Sequence, residues 1–354
     1  MPLTRQDALR LLRFCLGPDD SGSVELADDG AALVTISPAE PSIGVRTFEA
    51  PTFEAALRQA ADSRLLKAAC VEKQIRFLEL GAAKAPAEAA GSVAPSRRQR
   101  PDLFPKLLAA TASLLHEVQN ERGMSSIFAA SSGRIFKREL GRQRERVDTR
   151  RERFKAVWRE IADTVSGSLA RRLDHADQHI AELVAARPAI DGGHRDAGAV
   201  VASYTQANAE LLGVGDGALV SYASGDNRHS ALACVVLLYA KEKTGIERAR
   251  IGAAIATHSV SDEDRRALAA LTAARTSYLH VFSATAPRPA EQLMERALAS
   301  TTYADLTRME ELLLSGRETE LGIDARAWYN VISHEMDHMG EIGTAALGLV
   351  GGEL

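Results

Sequence analysis

Two segments that place a charge on an apolar helical face constrain this chain more than any other feature. Each carries a Glu-Arg pair followed by small residues: Arg122 lies in LLHEVQNERGMSSIFAASSG, and Arg248 lies in LLYAKEKTGIERARIGAAIATHS. A guanidinium stays protonated at physiological pH, so an arginine on a core-facing stripe must reach water, pair with a carboxylate or hold a ligand anion. The pattern therefore predicts helices whose packing leaves room for two buried charges.

Both arginines share a helical face with apolar residues. Steps of three and four connect Arg122 to Leu115 and Val118, and they connect Arg248 to Leu237 and Ile251. Periodicity alone favours the simpler interpretation, a surface arginine whose stem covers apolar surface and whose charge pairs with a nearby glutamate. The small residues favour a narrow pocket instead, in which two guanidiniums would hold a planar oxyanion such as nitrate, nitrite or bicarbonate, or a small carboxylate.

Composition limits the classes of protein that the chain can belong to. Its 354 residues suggest two domains. The 43 basic and 47 acidic residues give a net charge of -4, so composition offers no electrostatic footprint for nucleic acid. Cys15, Cys70 and Cys234 are widely separated and lie among apolar residues, which indicates reduced core thiols in an intracellular protein rather than a disulfide or zinc framework.

No segment has the pattern of a signal peptide or a membrane span. The N-terminus, MPLTRQDALRLLRF, has no long apolar stretch behind its charges, and the longest apolar run is Ala231–Ala240. That run is about half the length that a membrane-spanning helix requires. We therefore expect a cytoplasmic protein that does not associate with membranes.

The chain divides into a small N-terminal unit and a long helical region. Residues 1–82 predict an α+β domain, with a hairpin between Gly22 and Ser37, a further extended piece and a helix beginning near Phe53. Residues 83–101 are rich in Ala and Pro without apolar periodicity, as is typical of a linker. Residues 102–354 predict about eight helices, enough for two bundles, with one break expected at Gly213-Val214-Gly215.

The helical region resembles a known family. The segments NERGMSSIFAASSG and KEKTGIERARIGAAI, followed by Ala327-Trp328 at the start of a final helix, are similar to the NIT domain, the nitrate- and nitrite-sensing domain of bacterial signalling proteins. The resemblance covers residues from about 101 to 349 and does not extend to the N-terminal region. It implies a mainly α fold of two packed four-helix bundles, preceded here by the small α+β domain, with an anion held between the bundles by arginines.

The resemblance also implies the site and its role. Arg122 and Arg248 match the arginines of the two segments, and Arg308 is the candidate for a third family arginine in the late helices. The implied protein is a nitrate- or nitrite-binding regulator that is not an enzyme and that has no cofactor and no metal. The N-terminal domain is the candidate for binding a protein partner, although its helical stripe could simply cover its own sheet. A homodimer is also consistent with a signalling bundle.

Two other functions are compatible with the residues. His334, Glu335 and His338 match H-E-x-x-H, the zinc-binding pattern of metalloproteases, and could serve a metal-binding helical-bundle protein or enzyme. The later residues of the longer zinc motif are absent, since Glu341 and Thr344 occupy those positions. The final helix is also more acidic than the family pattern, which leaves a ligand-free protein-interaction module as the remaining alternative.

Overall fold

The chain forms two compact units, residues 1–97 and residues 98–354, which are described separately. The computed structural model describes residues 12, 21–26, 31–37, 46–50, 53–62, 103–162, 165, 167–222, 227–317 and 322–348. The predicted linker at 83–101 lies outside the described residues, as do Cys15 and Cys70. No helix in these ranges has both the length and the apolar content needed to cross a membrane.

The N-terminal unit contains a small antiparallel sheet in the order β1-β2-β3, formed by strands Ser21–Leu26, Ala32–Ser37 and Arg46–Ala50. The predicted hairpin is confirmed, with Val24 paired to Val34. Helix α1 (Phe53–Asp62) packs against β2 and β3 and buries Leu57. The apolar stripe of this helix therefore covers its own sheet over the described turns.

All regular structure in the described residues of the second unit is helical. Its elements are α2 (Leu103–Ala130), α3 (Glu139–Ile161), α4 (Ser168–Asp191), α5 (Ala197–Tyr222), α6 (Asn227–Ala256), α7 (Asp262–Thr285), α8 (Arg288–Leu298), α9 (Thr301–Ser315) and α10 (Ala325–Ala346). The mainly α fold with a small N-terminal sheet is confirmed.

The helices assemble into two half-bundles that meet along α2 and α6. Helices α2, α3, α4 and α5 form the first half, and α6, α7 and α10 form the second together with the short pair α8 and α9. Helices α2 and α6 run parallel, since Gln119 contacts Glu242 and, further along both helices, Ile127 lies against Gly252. The segments with the Glu-Arg pairs are therefore the two helices at the centre of the interface.

Two helix boundaries differ from the sequence prediction. The break expected at Gly213-Val214-Gly215 is wrong, because these residues lie buried within the continuous helix α5. Glycines serve there for close packing: a Cβ on Gly213 would lie 2.6 Å from Arg172 Nη1. Conversely, the chain breaks between α8 and α9, where the Ser300 side chain caps α9 by accepting a hydrogen bond from the Tyr303 amide.

Removal of the cap of α7 should destabilise the second half-bundle. Ser261 Oγ accepts a hydrogen bond from the Asp264 amide, and the Asp264 carboxylate accepts one from the Ser261 amide. We expect Ser261→Ala to lower the free energy of unfolding by about 1 kcal/mol in urea denaturation. Ser277→Ala, a control within the same helix, should change it by only a few tenths because Ser277 makes no cap. Equal effects of the two changes would contradict the capping role.

Candidate anion-binding site

Arg122 and Arg248 lie at the α2–α6 interface, each against a glycine of the opposite helix. Both side chains are fully buried. A Cβ on Gly245 of α6 would lie 2.6 Å from Arg122 Nη2, and a Cβ on Gly123 of α2 would lie 3.0 Å from Arg248 Nε. The glycines leave room for these side chains: a Cβ on Gly245 would collide with the Arg122 guanidinium, and a Cβ on Gly123 would collide with the Tyr329 ring, at 2.9 Å, as well as with Arg248. The structure thus brings together the two arginines that the sequence singled out.

The charge of Arg122 is balanced by a carboxylate. Its two terminal nitrogens donate to the two oxygens of Glu242, at 2.5 Å and 3.2 Å, and Nη1 also donates to Thr205 Oγ1 at 3.0 Å. Glu242 accepts further hydrogen bonds from the side-chain amides of Gln119 and Asn208. This buried ion pair fixes α2 to α6 and is satisfied by several donors, as such pairs require.

Arg248 has only neutral hydrogen-bond partners. Nη1 donates to Asn120 Oδ1 and Ser333 Oγ, both at 2.8 Å, and Nη2 donates to the carbonyl of Gln119 at 2.7 Å. The guanidinium also lies 4.7 Å from the ring centre of Tyr329. Among the described residues, no carboxylate oxygen lies within 4.0 Å of this group, in contrast to Arg122.

The cluster therefore carries one buried positive charge in excess. Burial, reinforced by the nearby charge of Arg122, lowers the pKa of Arg248 below its usual value, although an arginine remains protonated in a protein. The Nε–H groups of both arginines are buried and have no acceptor in the described part of the chain. Such donors are costly to leave unpaired, and a monovalent oxyanion would satisfy them and neutralise the charge.

The glutamate of each pair faces the core of its own half-bundle. Glu121 accepts two hydrogen bonds from Arg187 of α4, both at 2.8 Å, and one from the Tyr204 hydroxyl. Glu247 accepts one from Arg275 of α7 at 2.9 Å. The two Glu-Arg segments thus have the same arrangement. The glutamate pairs with an arginine of its own half-bundle, and the arginine of the Glu-Arg pair faces the interface between the half-bundles.

The acids outnumber the bases around Arg275. This arginine also donates to both oxygens of Glu310, at 2.7 Å and 3.0 Å. Burial raises the pKa of Glu247 well above its usual value, and the Glu310 carboxylate adds to the increase. Burial likewise raises the pKa of Glu335 to about 7, and neither oxygen of its carboxyl has a hydrogen-bond partner among the described residues. Burial therefore disfavours the charged form of both carboxyls in this half-bundle.

The remaining residues predicted for a site do not join this cluster. The Arg308 side chain is exposed on α9, whose buried face carries Leu306, Glu310 and Leu313 instead. The H-E-x-x-H residues diverge, since His334 is exposed whereas the Glu335 side chain is fully buried. In the described ranges, no three His, Cys, Asp or Glu residues converge as metal ligands.

Comparison with known proteins places the helical unit in a family. The model of the NIT family, described as nitrate and nitrite sensing, matches residues 113–350, which is more than half of the chain. The chain belongs to the NIT family. The family match confirms the resemblance, and its range agrees with the 101–349 expected from the sequence. The N-terminal region has no family match, and no curated protein matches the chain.

A solved structure supports the NIT fold independently. The chain is similar to the structure of the NasR transcription antiterminator, with a TM-score of 0.65 and 21% sequence identity. The similarity covers 78% of this chain and 72% of that one. At this level of identity the comparison shows that the two chains share a fold.

A methyl group at Gly245 should disturb the arginine that lies against it. Gly→Ala within a helix usually stabilises by up to about 1 kcal/mol. In Gly245→Ala the added Cβ would collide with Arg122 Nη2, so we expect urea denaturation to show a loss of roughly 1–3 kcal/mol instead. Gly141→Ala is the matched control, because a Cβ there meets nothing within 4 Å. Stabilisation of both variants would show that the guanidinium does not need this space.

The buried carboxyl of Glu335 should make stability depend on pH. The pKa of Glu335 is about 7 in the fold and exceeds the ordinary value of 4.5. The stability associated with the protonated carboxyl is therefore fully present below pH 4.5, and the free energy of unfolding falls as pH rises from 4.5 through 7. The glutamine in Glu335→Gln stays neutral at every pH. We therefore expect the difference in free energy of unfolding between variant and wild type, measured in urea, to shift by about 3 kcal/mol in favour of the variant from pH 5 to pH 8. Glu341→Gln, an exposed change on the same helix, should follow wild type. A constant offset for Glu335→Gln would exclude this titration.

Proposed function

We propose that the protein is a regulatory sensor that binds nitrate or nitrite between its two half-bundles through Arg122 and Arg248. Membership of the NIT family supports the ligand class. The observation that carries the assignment to these residues is the fully buried Arg248 guanidinium, which has neutral partners only. A cluster with one excess positive charge favours a monoanion over a neutral molecule or a dianion.

Planar oxyanions suit the two donors that have no acceptor among the described residues, the Nε–H groups of Arg122 and Arg248. Nitrate and nitrite present coplanar oxygens, which suit the edge of a guanidinium, and charge-assisted hydrogen bonds are strong where water is excluded. Residues Asn120 and Ser333, which now accept from Arg248, hold its plane at the junction of α2, α6 and α10. Arg308 is not part of the proposed site because its side chain is exposed.

Glu242 gives the proposed site a built-in competitor. Without ligand, its carboxylate occupies both terminal nitrogens of Arg122, so it reduces the repulsion between the two arginines. An entering anion would compete with Glu242 for Arg122 and would compensate Arg248 at the same time. Binding would thereby replace a direct α2–α6 ion pair with a contact shared through the ligand, which changes how strongly the half-bundles are held together.

The proposed role is that of a regulator rather than an enzyme. The family description, nitrate and nitrite sensing, supports this role. A cytoplasmic location suits a sensor of internal nitrate. The output through residues 1–97, by a protein partner or by dimerisation, stays a prediction from the sequence.

Calorimetric titration with sodium nitrate and nitrite tests the proposal. We expect saturable binding to wild type, with chloride and sulfate binding far more weakly at constant ionic strength. Arg248→Met keeps the aliphatic stem and removes the charge, so it should weaken nitrate binding by about tenfold or more. The change leaves three acceptors without this donor, so helix content by circular dichroism is the control for folding. Arg250→Met, two residues further along α6, should bind normally because Arg250 pairs with Glu263 and Asp264 at the surface.

Removal of the Glu242 charge should have the opposite effect on nitrate affinity. In Glu242→Gln the terminal nitrogens of Arg122 lose their carboxylate partner and the site gains a second positive charge, so the same titration should show nitrate binding tighter by about tenfold. Arg122→Met should weaken binding. Normal nitrate affinity in both Arg248→Met and Arg122→Met, with helix content unchanged by circular dichroism, would refute the site.

A further inference from the structure

A cavity opens along the α2–α6 interface, nearer the N-terminal ends of these two helices than the arginine cluster is. It has a volume of about 370 Å³ and is lined by residues of α2, α3, α6 and α10. It is named here the Lys241 cleft, after the residue that lies seven positions before Arg248, or roughly 10 Å along the helix. Most of its wall is apolar, formed by Ala109, Ala112, Leu237, Leu238, Met339 and Leu347.

The Lys241 cleft contains a buried cation. Lys241 is only 4% exposed. Burial lowers the pKa of its ammonium to about 8, and the carboxylates of Asp337 and Glu117 act on it only through space, without a hydrogen bond in the described ranges. Its Nζ lies 3.2 Å from the position that a Cβ on Gly340 would take, so it is directed across the cleft toward α10. An ammonium loses much of its hydration in such a place, and that loss is usually offset by an anion.

His116, which also lines the cleft, provides a second hydrogen-bond donor beside Lys241. Asn120 Oδ1 accepts from Arg248, so the amide nitrogen of Asn120 is the donor in its 3.0 Å contact with His116 Nε2. The proton of the neutral imidazole is then on Nδ1, which is buried and has no partner among the described residues. The nearby charge of Lys241, together with burial, keeps the pKa of His116 well below its usual value, so the ring is neutral.

The charges around the opening restrict the ligand. Three carboxylates line the cleft, and two of them, Asp337 and Glu341, are exposed at its mouth. The third, Glu117, accepts a hydrogen bond from Gln143 at 2.7 Å. Arg150 is the only other cation among the lining residues that the structure describes. A dianion would be repelled by this acidic rim, whereas a single carboxylate can reach Lys241.

We propose that the Lys241 cleft binds a small organic monocarboxylate with an aliphatic body. The carboxylate accepts hydrogen bonds from the Lys241 ammonium and from His116 Nδ1, and the aliphatic part lies against the leucines of α6 and Leu347. The volume falls in the range of about 300–1,000 Å³ that is typical of small-molecule sites with apolar walls and few polar groups. Nitrate alone would leave this apolar wall uncovered.

The cleft is connected to the arginine cluster through one side chain. Asn120 joins His116 to Arg248, so a carboxylate that fixes the His116 ring also fixes the acceptor of the Arg248 guanidinium. Occupancy of the cleft would then alter nitrate affinity, and by linkage nitrate would alter carboxylate affinity by the same factor. The cleft can bind a carboxylate whether or not the arginine cluster proves to be a nitrate site, so the two proposals can be tested separately.

Titration of the full chain with 4-methylpentanoate, in the absence of nitrate, tests the proposal. We expect saturable binding at millimolar concentration or below. Lys241→Met retains the length of the side chain without its charge, so it should weaken binding by about tenfold or more. Lys243→Met is the matched control, since this lysine is on the same helix but does not line the cleft. It should bind as wild type does.

A second variant and two further probes separate the cleft from general carboxylate binding. Ala112→Phe fills the apolar wall and leaves Lys241 in place, and it should also abolish binding. Glutarate, a dianion, and 4-methylpentanamide, which has no charge, should both bind much more weakly than 4-methylpentanoate. Absence of saturable binding to folded wild type, equal binding by Lys241→Met, or equal affinity for the amide would each overturn the proposal.

Discussion

The contacts of the buried Arg248 guanidinium are the constraint around which the helices of the second unit are arranged. A permanent charge with neutral partners only is an expensive element in a helical core, and the surrounding helices are arranged to accommodate it. Gly123 lets it approach the backbone of α2, the Tyr329 ring covers one face, and carbonyl and side-chain oxygens accept from its terminal nitrogens. The helices of both half-bundles thus meet around an arginine whose hydrogen-bond partners are all neutral.

Carboxylates divide the buried arginines into two kinds. Arg187 and Arg275 each bind a glutamate of a Glu-Arg pair and hold their own half-bundle together, and Arg122 is paired with Glu242 across the interface. Arg248 stands apart because its closest partners are uncharged. Buried pairs of the first kind contribute little net stability but are costly to break, so they fix the geometry in which the unpaired group is held.

Periodicity and composition predicted the helical fold, because helices depend on local patterns. Periodicity alone favoured surface positions for Arg122 and Arg248, whereas the small residues beside them and the family resemblance indicated a shared pocket. Gly213-Val214-Gly215 misled the prediction, since glycines that allow close helix packing have the same sequence signature as glycines that end a helix. Arg308 lies next to an apolar stripe in the sequence, but such adjacency does not decide which side a residue faces, and the structure leaves Arg308 exposed on α9. Glu242 could not be identified as the partner of Arg122, since that contact joins residues far apart in the chain.

The opposed glycines limit the motion that the central helices can undergo. Arg122 passes Gly245 while Arg248 passes Gly123, so two contacts fix the axial position of α2 relative to α6. A piston-like shift of one turn, about 5.4 Å, would bring Arg122 against Lys241 or Ala249, neither of which leaves space for a guanidinium. A small change in crossing angle about this contact keeps each arginine opposite its glycine. The opposed glycines therefore oppose a one-turn slide of α2 along α6 more than they oppose a tilt.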